Sequence, residues 1–150
     1  MLLKKQKKCY HKMKNINDIQ KEIIEEFNFF DDWVQKYEYI IDLGKNLPAI
    51  ELSQKINENL IKGCQSKVWL WAEKKNNNII YHADSDAVMT KGIIALLIRV
   101  LSNQKPEEIK SADLIFIDKI GLKKQLSITR ANGLLSMIKQ MKIYALAYTK

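Results

Sequence analysis

Among the 150 residues, two thiols and two imidazoles have the widest chemical reach: Cys9, Cys64, His11 and His82. Cys64 stands in Gly63-Cys64-Gln65-Ser66, immediately ahead of a segment rich in Val and Trp. A thiol does nucleophilic work only as its thiolate, so it needs partial exposure, backbone donors or cationic neighbours. A loop entered through a glycine offers the first two. A lone cysteine is also a small apolar packing residue, and spacing alone leaves both readings of Cys64 open. Neither cysteine belongs to a CxxC pair, and two are too few for a disulfide-rich secreted scaffold, which points to free thiols in a reducing compartment. Two histidines cannot build a His-rich metal site, and neither a metal nor a cofactor is expected. A Cys-dependent hydrolase could be assembled from Cys64, His82 and Asp84 or Asp86, provided His82 comes within hydrogen-bond reach of the sulfur. Against this, His82 alternates with Tyr81 and Ala83 on a strand-like segment, where an imidazole packs half-buried. Cys9 reads as incidental to a basic tail.

The net charge of +8 invites a nucleic-acid-binding reading until the charge is located. Residues 1–16 hold Lys4, Lys5, Lys7, Lys8, Lys12 and Lys14 and no acid, and removing these six from +8 leaves +2 for the rest of the chain. Only Tyr10 interleaves with these lysines as a stacking platform, so a basic nucleic-acid module is the weaker alternative. Residues 1–18 are therefore expected to form a flexible basic tail, and 19–150 one domain. The tail lacks the continuous apolar stretch of a secretory signal, and its freedom from acids suits an organellar transit peptide. A plastid-type organelle or the bacterial cytoplasm is expected, without export. The longest apolar run, 92–98, is too short to span a bilayer, so no membrane partner is expected.

The elements that must position Cys64 follow from periodicity. Ile19, Ile23, Phe27 and Phe30 mark an amphipathic helix capped by Asn17 or Asp18. Trp33, Tyr37, Ile40 and Ile41 mark a second helix from Asp31 or Asp32, with Gly44 as its left-handed C-terminal residue. Residues 45–60 read as loop with a short helical turn. Segments 67–74 and 79–83 read as a β-hairpin, with Val68, Leu70 and Ala72 on one face and Trp69 and Trp71 on the other. Ser85 is expected to cap a buried central helix over 86–102, with Asp86 in its positive first turn. Pro106 opens a short helix, 114–117 is a candidate third strand, and 121–126 is helical or turn. A last helix over 130–148 presents Leu134, Met137, Ile138, Met141, Ala145 and Tyr148 on one face. The order implies an α+β domain whose small antiparallel sheet, of about three strands, packs with helices.

Four stretches then resemble one family. Gly63-Cys64-Gln65-Ser66-Lys67-Val68-Trp69 resembles the acceptor-cysteine motif of the SufE family, and Asp84-Ser85-Asp86-Ala87 with Lys91-Gly92 resembles its next signature. Arg130, Asn132, Gly133 and Leu134 resemble the start of that family's last helix, and Trp33, Tyr37 and Leu43-Gly44-Lys45-Asn46-Leu47-Pro48 its early stretch. The matches run in order through about residues 27–145. Ile128 stands where the family often has Pro, Thr129 where it has Ser, and Ala83 where Gly can occur.

The resemblance implies a SufE/NifU-like fold and a sulfur carrier rather than an enzyme. Its Cys64 would accept persulfide sulfur from a SufS-like, pyridoxal-phosphate-dependent cysteine desulfurase, stimulating that enzyme, and pass the sulfur to a SufBCD-like iron–sulfur scaffold. Gly63, Gln65, Ser66, Asp86 and Arg130 would support the thiol or dock the partner. Arg130 would lie beside Cys64, where a guanidinium favours the thiolate.

Overall fold

The computed structural model of the chain describes residues 14–149, so most of the basic tail, with Cys9 and His11, lies outside the described residues. Helix α1 (Ile16–Asn28) is capped by Asn15, whose side chain accepts from the Asp18 N–H at 2.8 Å. This cap lies slightly upstream of the expected Asn17 or Asp18. Ile23 and Phe27 of the expected stripe are fully buried. Helix α2 (Trp33–Lys45) has Asp32 as its cap, accepting from the Gln35 N–H at 2.9 Å. Two 3₁₀ turns, Leu52–Gln54 and Asn57–Asn59, lead towards the cysteine loop.

Gly44 is not the left-handed terminator that its position suggested; it lies inside α2, and Asn46 is the C-cap. A Cβ on Gly44 would meet Gly92 N at 2.7 Å, and one on Gly92 would meet Ile40 O at 2.2 Å. These glycines let α2 cross α3 (Val88–Leu101) backbone to backbone. As expected of a run apolar on nearly all sides, α3 is the central helix, burying Ile93, Ile94, Leu96, Leu97, Val100 and Leu101. Arg99 on its outer side forks onto Glu26 of α1 at 2.8 and 2.5 Å.

Strands β1 (Val68–Lys75) and β2 (Asn78–Ser85) form the expected antiparallel hairpin. The two turn residues Asn76 and Asn77 have φ of 52° and 69°, as a right-twisted two-residue hairpin turn requires. Val68 and Leu70 face the core, while Trp69 and Trp71 are half-buried on the other face. Both outer edges carry partners along part of their length. Beyond β1, the Ile61 N–H donates to Val68 O at 2.9 Å, and the hydroxyls of Tyr144 and Tyr148 donate to Leu70 O and Ala72 O at 3.0 and 3.4 Å. Beyond β2, Ile79 exchanges bonds with Asn103 and Gln104, and the Tyr81 N–H donates to Ser102 Oγ at 3.0 Å.

The sheet among the described residues has two strands, and the expected strand at 114–117 is absent. Phe116–Lys119 instead forms a short helix, α5, after α4 (Pro106–Lys110). Phe116, Ile117 and Ile120 are buried at helical spacing. The fully buried Gln20 sets the entry by accepting from the Phe116 N–H at 3.0 Å and donating to Asp113 O at 3.1 Å. Helix α6 (Leu122–Gln125) follows, and then α7 (Ile128–Tyr148), capped by Ser127. Ile128 is thus the first residue of α7, the position where Pro is favoured in helices generally. The expected face of α7 is found, with Leu134, Met137, Met141 and Ala145 buried.

Candidate functional site

The cysteine loop is closed at its neck by the Ile61 to Val68 bond and turns at Gly63, whose φ of +90° only glycine adopts readily. A Cβ there would also lie 2.6 Å from Ser136 Oγ on α7. This turn delivers Cys64, half-buried, onto the first turns of α7. Its Sγ lies 3.7 Å from Gly133 O, a long S–H···O contact in which the thiol donates. A Cβ on Gly133 would sit 3.4 Å from Sγ, so the absence of a side chain there leaves the sulfur room against the helix.

Beside the sulfur is a cleft of ≈ 140 Å³ lined by Cys64, Gln65, Ser66, Thr90, Arg130 and neighbours from the start of α7. Three of the expected site residues, Gln65, Ser66 and Arg130, therefore meet Cys64 in one place although α7 is distant in sequence. Gly63 shapes the turn. Ile93 and Met137 give the cleft an apolar floor, and Thr90, Ser127 and Thr129 add hydroxyls. Sequence reasoning missed Thr90 and Ser136, because neither carries a pattern that sets it apart from an ordinary helical residue. Gly133 lay within a quoted motif, but its contact with the thiol was not visible there.

Burial pushes the Cys64 thiol above its ordinary value. This direction is opposite to the one expected from Arg130, whose charge does not reverse it. The cause is that removing the sulfur from water disfavours the anion. The resting cysteine is a sheltered thiol.

Asp86 is exposed and stands outside the helix it was expected to begin. Its carboxylate accepts from the Lys67 N–H at 3.0 Å, and its own N–H donates to Lys67 O at 3.2 Å. Ser85 Oγ also donates to Lys67 O, at 2.8 Å, and accepts from the Ala87 N–H at 3.2 Å. Because residues 85 and 86 grip the strand that leaves the cysteine loop, α3 starts at Val88, and its N-cap Ala87 has no capping side chain. His82 is not part of the cleft. Its ring stacks on Trp71 at 4.2 Å between centroids, and Nε2 is 3.7 Å from Glu73 Oε1, too far for a hydrogen bond. The geometry of a Cys-His hydrolase is therefore not found among the described residues. Among the described residues no group of three metal-ligating side chains occurs, and no helix is long and apolar enough to cross a membrane.

Comparison with known proteins bears on family and fold. Residues 21–145 match the domain family described as SufE, Fe–S metabolism associated domain. An uncharacterized SufE-like protein of Rhizobium meliloti (strain 1021) is 38% identical over 126 residues, covering 81% of this chain and 90% of the relative. An uncharacterized SufE-like protein of Synechocystis is 36% identical, covering 84% and 79% respectively. SufE-like protein 1, chloroplastic/mitochondrial, of Arabidopsis thaliana is 40% identical over 126 residues; these are 83% of this chain but 34% of that longer protein. In fold, the chain is similar to a hypothetical protein of Thermus thermophilus solved in solution, with a TM-score of 0.72 at 16% identity, covering 88% of this chain and 97% of that one.

Proposed function

The chain belongs to the SufE family of iron–sulfur metabolism, and from that premise we propose that Cys64 is a sulfur acceptor serving a cysteine desulfurase. The observation that carries this reading is the placement of Cys64. A half-buried thiol at the tip of a glycine turn opens onto a small cleft with space beside the sulfur. That space suits one added sulfur atom and is too confined for a large substrate.

In the proposed step the Cys64 proton leaves to solvent and the thiolate attacks the outer sulfur of the desulfurase persulfide. A new S–S bond forms on Cys64. The old one breaks, and the desulfurase cysteine departs as thiolate with the bonding pair. A second exchange of the same kind hands the sulfur to a thiol of the iron–sulfur assembly machinery. Such exchange depends on thiolate fraction and access. The partial burial of Cys64 lowers both in the free protein, so docking that draws the loop out of the cleft would switch the nucleophile on. In this reading the partner is met by two exposed residues, Asp86, bonded to Lys67 on the arm leaving the loop, and Arg130, in the wall of the cleft. The protein acts as carrier and activator; the pyridoxal phosphate belongs to the desulfurase.

The test is to mix the protein with a cysteine desulfurase and free cysteine and to weigh it. A gain of sulfur localised to Cys64 is expected, with none on Cys64→Ser, whose fold and thermal stability should barely change. Equal sulfur loading of the serine variant would overturn the reading.

A further inference from the structure

Asp84 is a buried carboxylate that the transfer chemistry does not use. Only 8% of its side chain is exposed, yet it faces two ammonium groups: Lys55 Nζ at 3.2 Å from Oδ2 and Lys91 Nζ at 3.3 Å from Oδ1. Its Oδ1 also accepts from the Ser85 N–H at 2.8 Å. Burial alone would raise its pKa, but the Ser85 N–H and the two lysines outweigh burial and hold the carboxyl below its ordinary value. It is therefore an anion under any ordinary condition.

The two lysines are not equivalent. Lys91 rides on α3, which the Gly44–Gly92 crossing and the core already hold. Lys55 stands between the two 3₁₀ turns, on the irregular arm that leads into the cysteine loop. Ahead of the neck, where the buried Ile61 bonds Val68 O, that arm has few other anchors: Leu52 and Ile56 are exposed, and the Asn59 to Gln54 bonds stay within the arm. Lys55 also places its ammonium 5.2 Å from the Trp69 ring centroid, and Trp69 pairs with Asp84 across the hairpin. The outgoing arm is gripped at Lys67 by Ser85 and Asp86.

We propose that Asp84 is a positioning residue for Cys64: through Lys55 it ties down the arm entering the cysteine loop, while its neighbours Ser85 and Asp86 tie down the arm leaving it. One three-residue segment at the end of β2 thus reaches both arms of the loop and reinforces the Ile61 to Val68 bond at its neck. The sheltered position of the thiol against Gly133 depends on that hold. Neutralising Asp84 leaves two cations without an anion, a costly arrangement in a buried place. Lys55, on the weakly anchored arm, is the one free to swing out, and the loop follows.

The inference rests on Cys64 being the working residue, but its test needs no desulfurase, so the two readings can fail separately. In a Cys9→Ser background, so that Cys64 alone reports, the rate of alkylation by iodoacetamide is measured against pH for the parent, Asp84→Asn, Lys55→Met and Lys91→Met. Methionine keeps most of the apolar stem of lysine and removes its charge. Asp84→Asn and Lys55→Met should shift the profile to lower pH and react roughly threefold to tenfold faster near neutrality, since a better-solvated thiol ionises more readily. Lys91→Met should track the parent. Profiles of Asp84→Asn and Lys55→Met that superimpose on the parent, with circular dichroism unchanged, would overturn the proposal. So would an equal shift in Lys91→Met, which would signal general softening. Should Asp84→Asn fail to fold, Lys55→Met decides alone.

Discussion

Two pairs of glycines do different work in this molecule. At the crossing of α2 and α3, Gly44 and Gly92 face backbone: the missing methyl of Gly92 would overlap Ile40 O at 2.2 Å, and that of Gly44 the Gly92 N at 2.7 Å. At the cysteine loop, Gly63 and Gly133 face the tips of side chains, Ser136 Oγ at 2.6 Å and Cys64 Sγ at 3.4 Å. Backbone in a packed helix cannot retreat. A serine hydroxyl or a cysteine thiol can rotate. The first pair therefore builds an unyielding scaffold, and the second surrounds a part of the molecule that has room to move, which suits a thiol that must leave its shelter to react.

The largest effect separating the two pairs is expected from Gly92→Ala. A methyl forced against the Ile40 carbonyl must push the two helices apart, which should cost about 3 kcal/mol or more, at or beyond the upper end of ordinary overpacking. Urea denaturation reads it directly. A loss below about 1 kcal/mol, by the same overpacking scale, would mean that the crossing is softer than its distances imply.

Gly63→Ala comes next. The left-handed backbone should cost about 1–2 kcal/mol, and the hydroxyl of Ser136 must also move. Adding Ser136→Ala should recover the steric share but not the backbone share, so the double variant stays below the parent in denaturation while regaining part of the loss. Full recovery would show that φ at residue 63 relaxes. The smallest effect on stability, and of opposite sign, belongs to Gly133→Ala. Alanine favours a helix over glycine by up to about 1 kcal/mol, so stability should hold or rise. The new methyl narrows the space around Sγ, and sulfur loading from a desulfurase should slow. A variant both more stable and equally fast would show that the space beside Gly133 is not used by the incoming sulfur.

The long elements were legible from residue pattern because their signals are local: the stripe of α1, the all-round apolar α3, the hairpin with its asparagine turn and the buried face of α7. The cysteine loop was legible because four motifs lay in register around it. What escaped depended on contacts distant in sequence. Gly44 near a helix end reads as a terminator, and only its partner Gly92 shows that it is there for close approach. The apolar residues 114–117 fit a strand as well as a helix, a choice that short runs leave open, and the buried Gln20 decided it. Ser85 and Asp86 carry the types of a helix start, yet their bonds go to Lys67. The direction of the Cys64 thiol is set by how deeply the loop seats against α7, which no residue type announces.

The occupied edges of the hairpin have a consequence for how this molecule meets others. A two-stranded sheet ordinarily offers two rows of free backbone donors and acceptors, and such edges recruit strands from neighbouring chains. Here Ile61 and the hydroxyls of Tyr144 and Tyr148 take the outward carbonyls of β1, while residues 102–104 take the outward groups of β2 at Ile79 and Tyr81. Strand addition, and the aggregation that follows from it, is closed off at these positions. A partner that approaches there meets side chains rather than free backbone, and the cysteine loop, bonded through Ile61 to Val68, is itself part of what covers the edge.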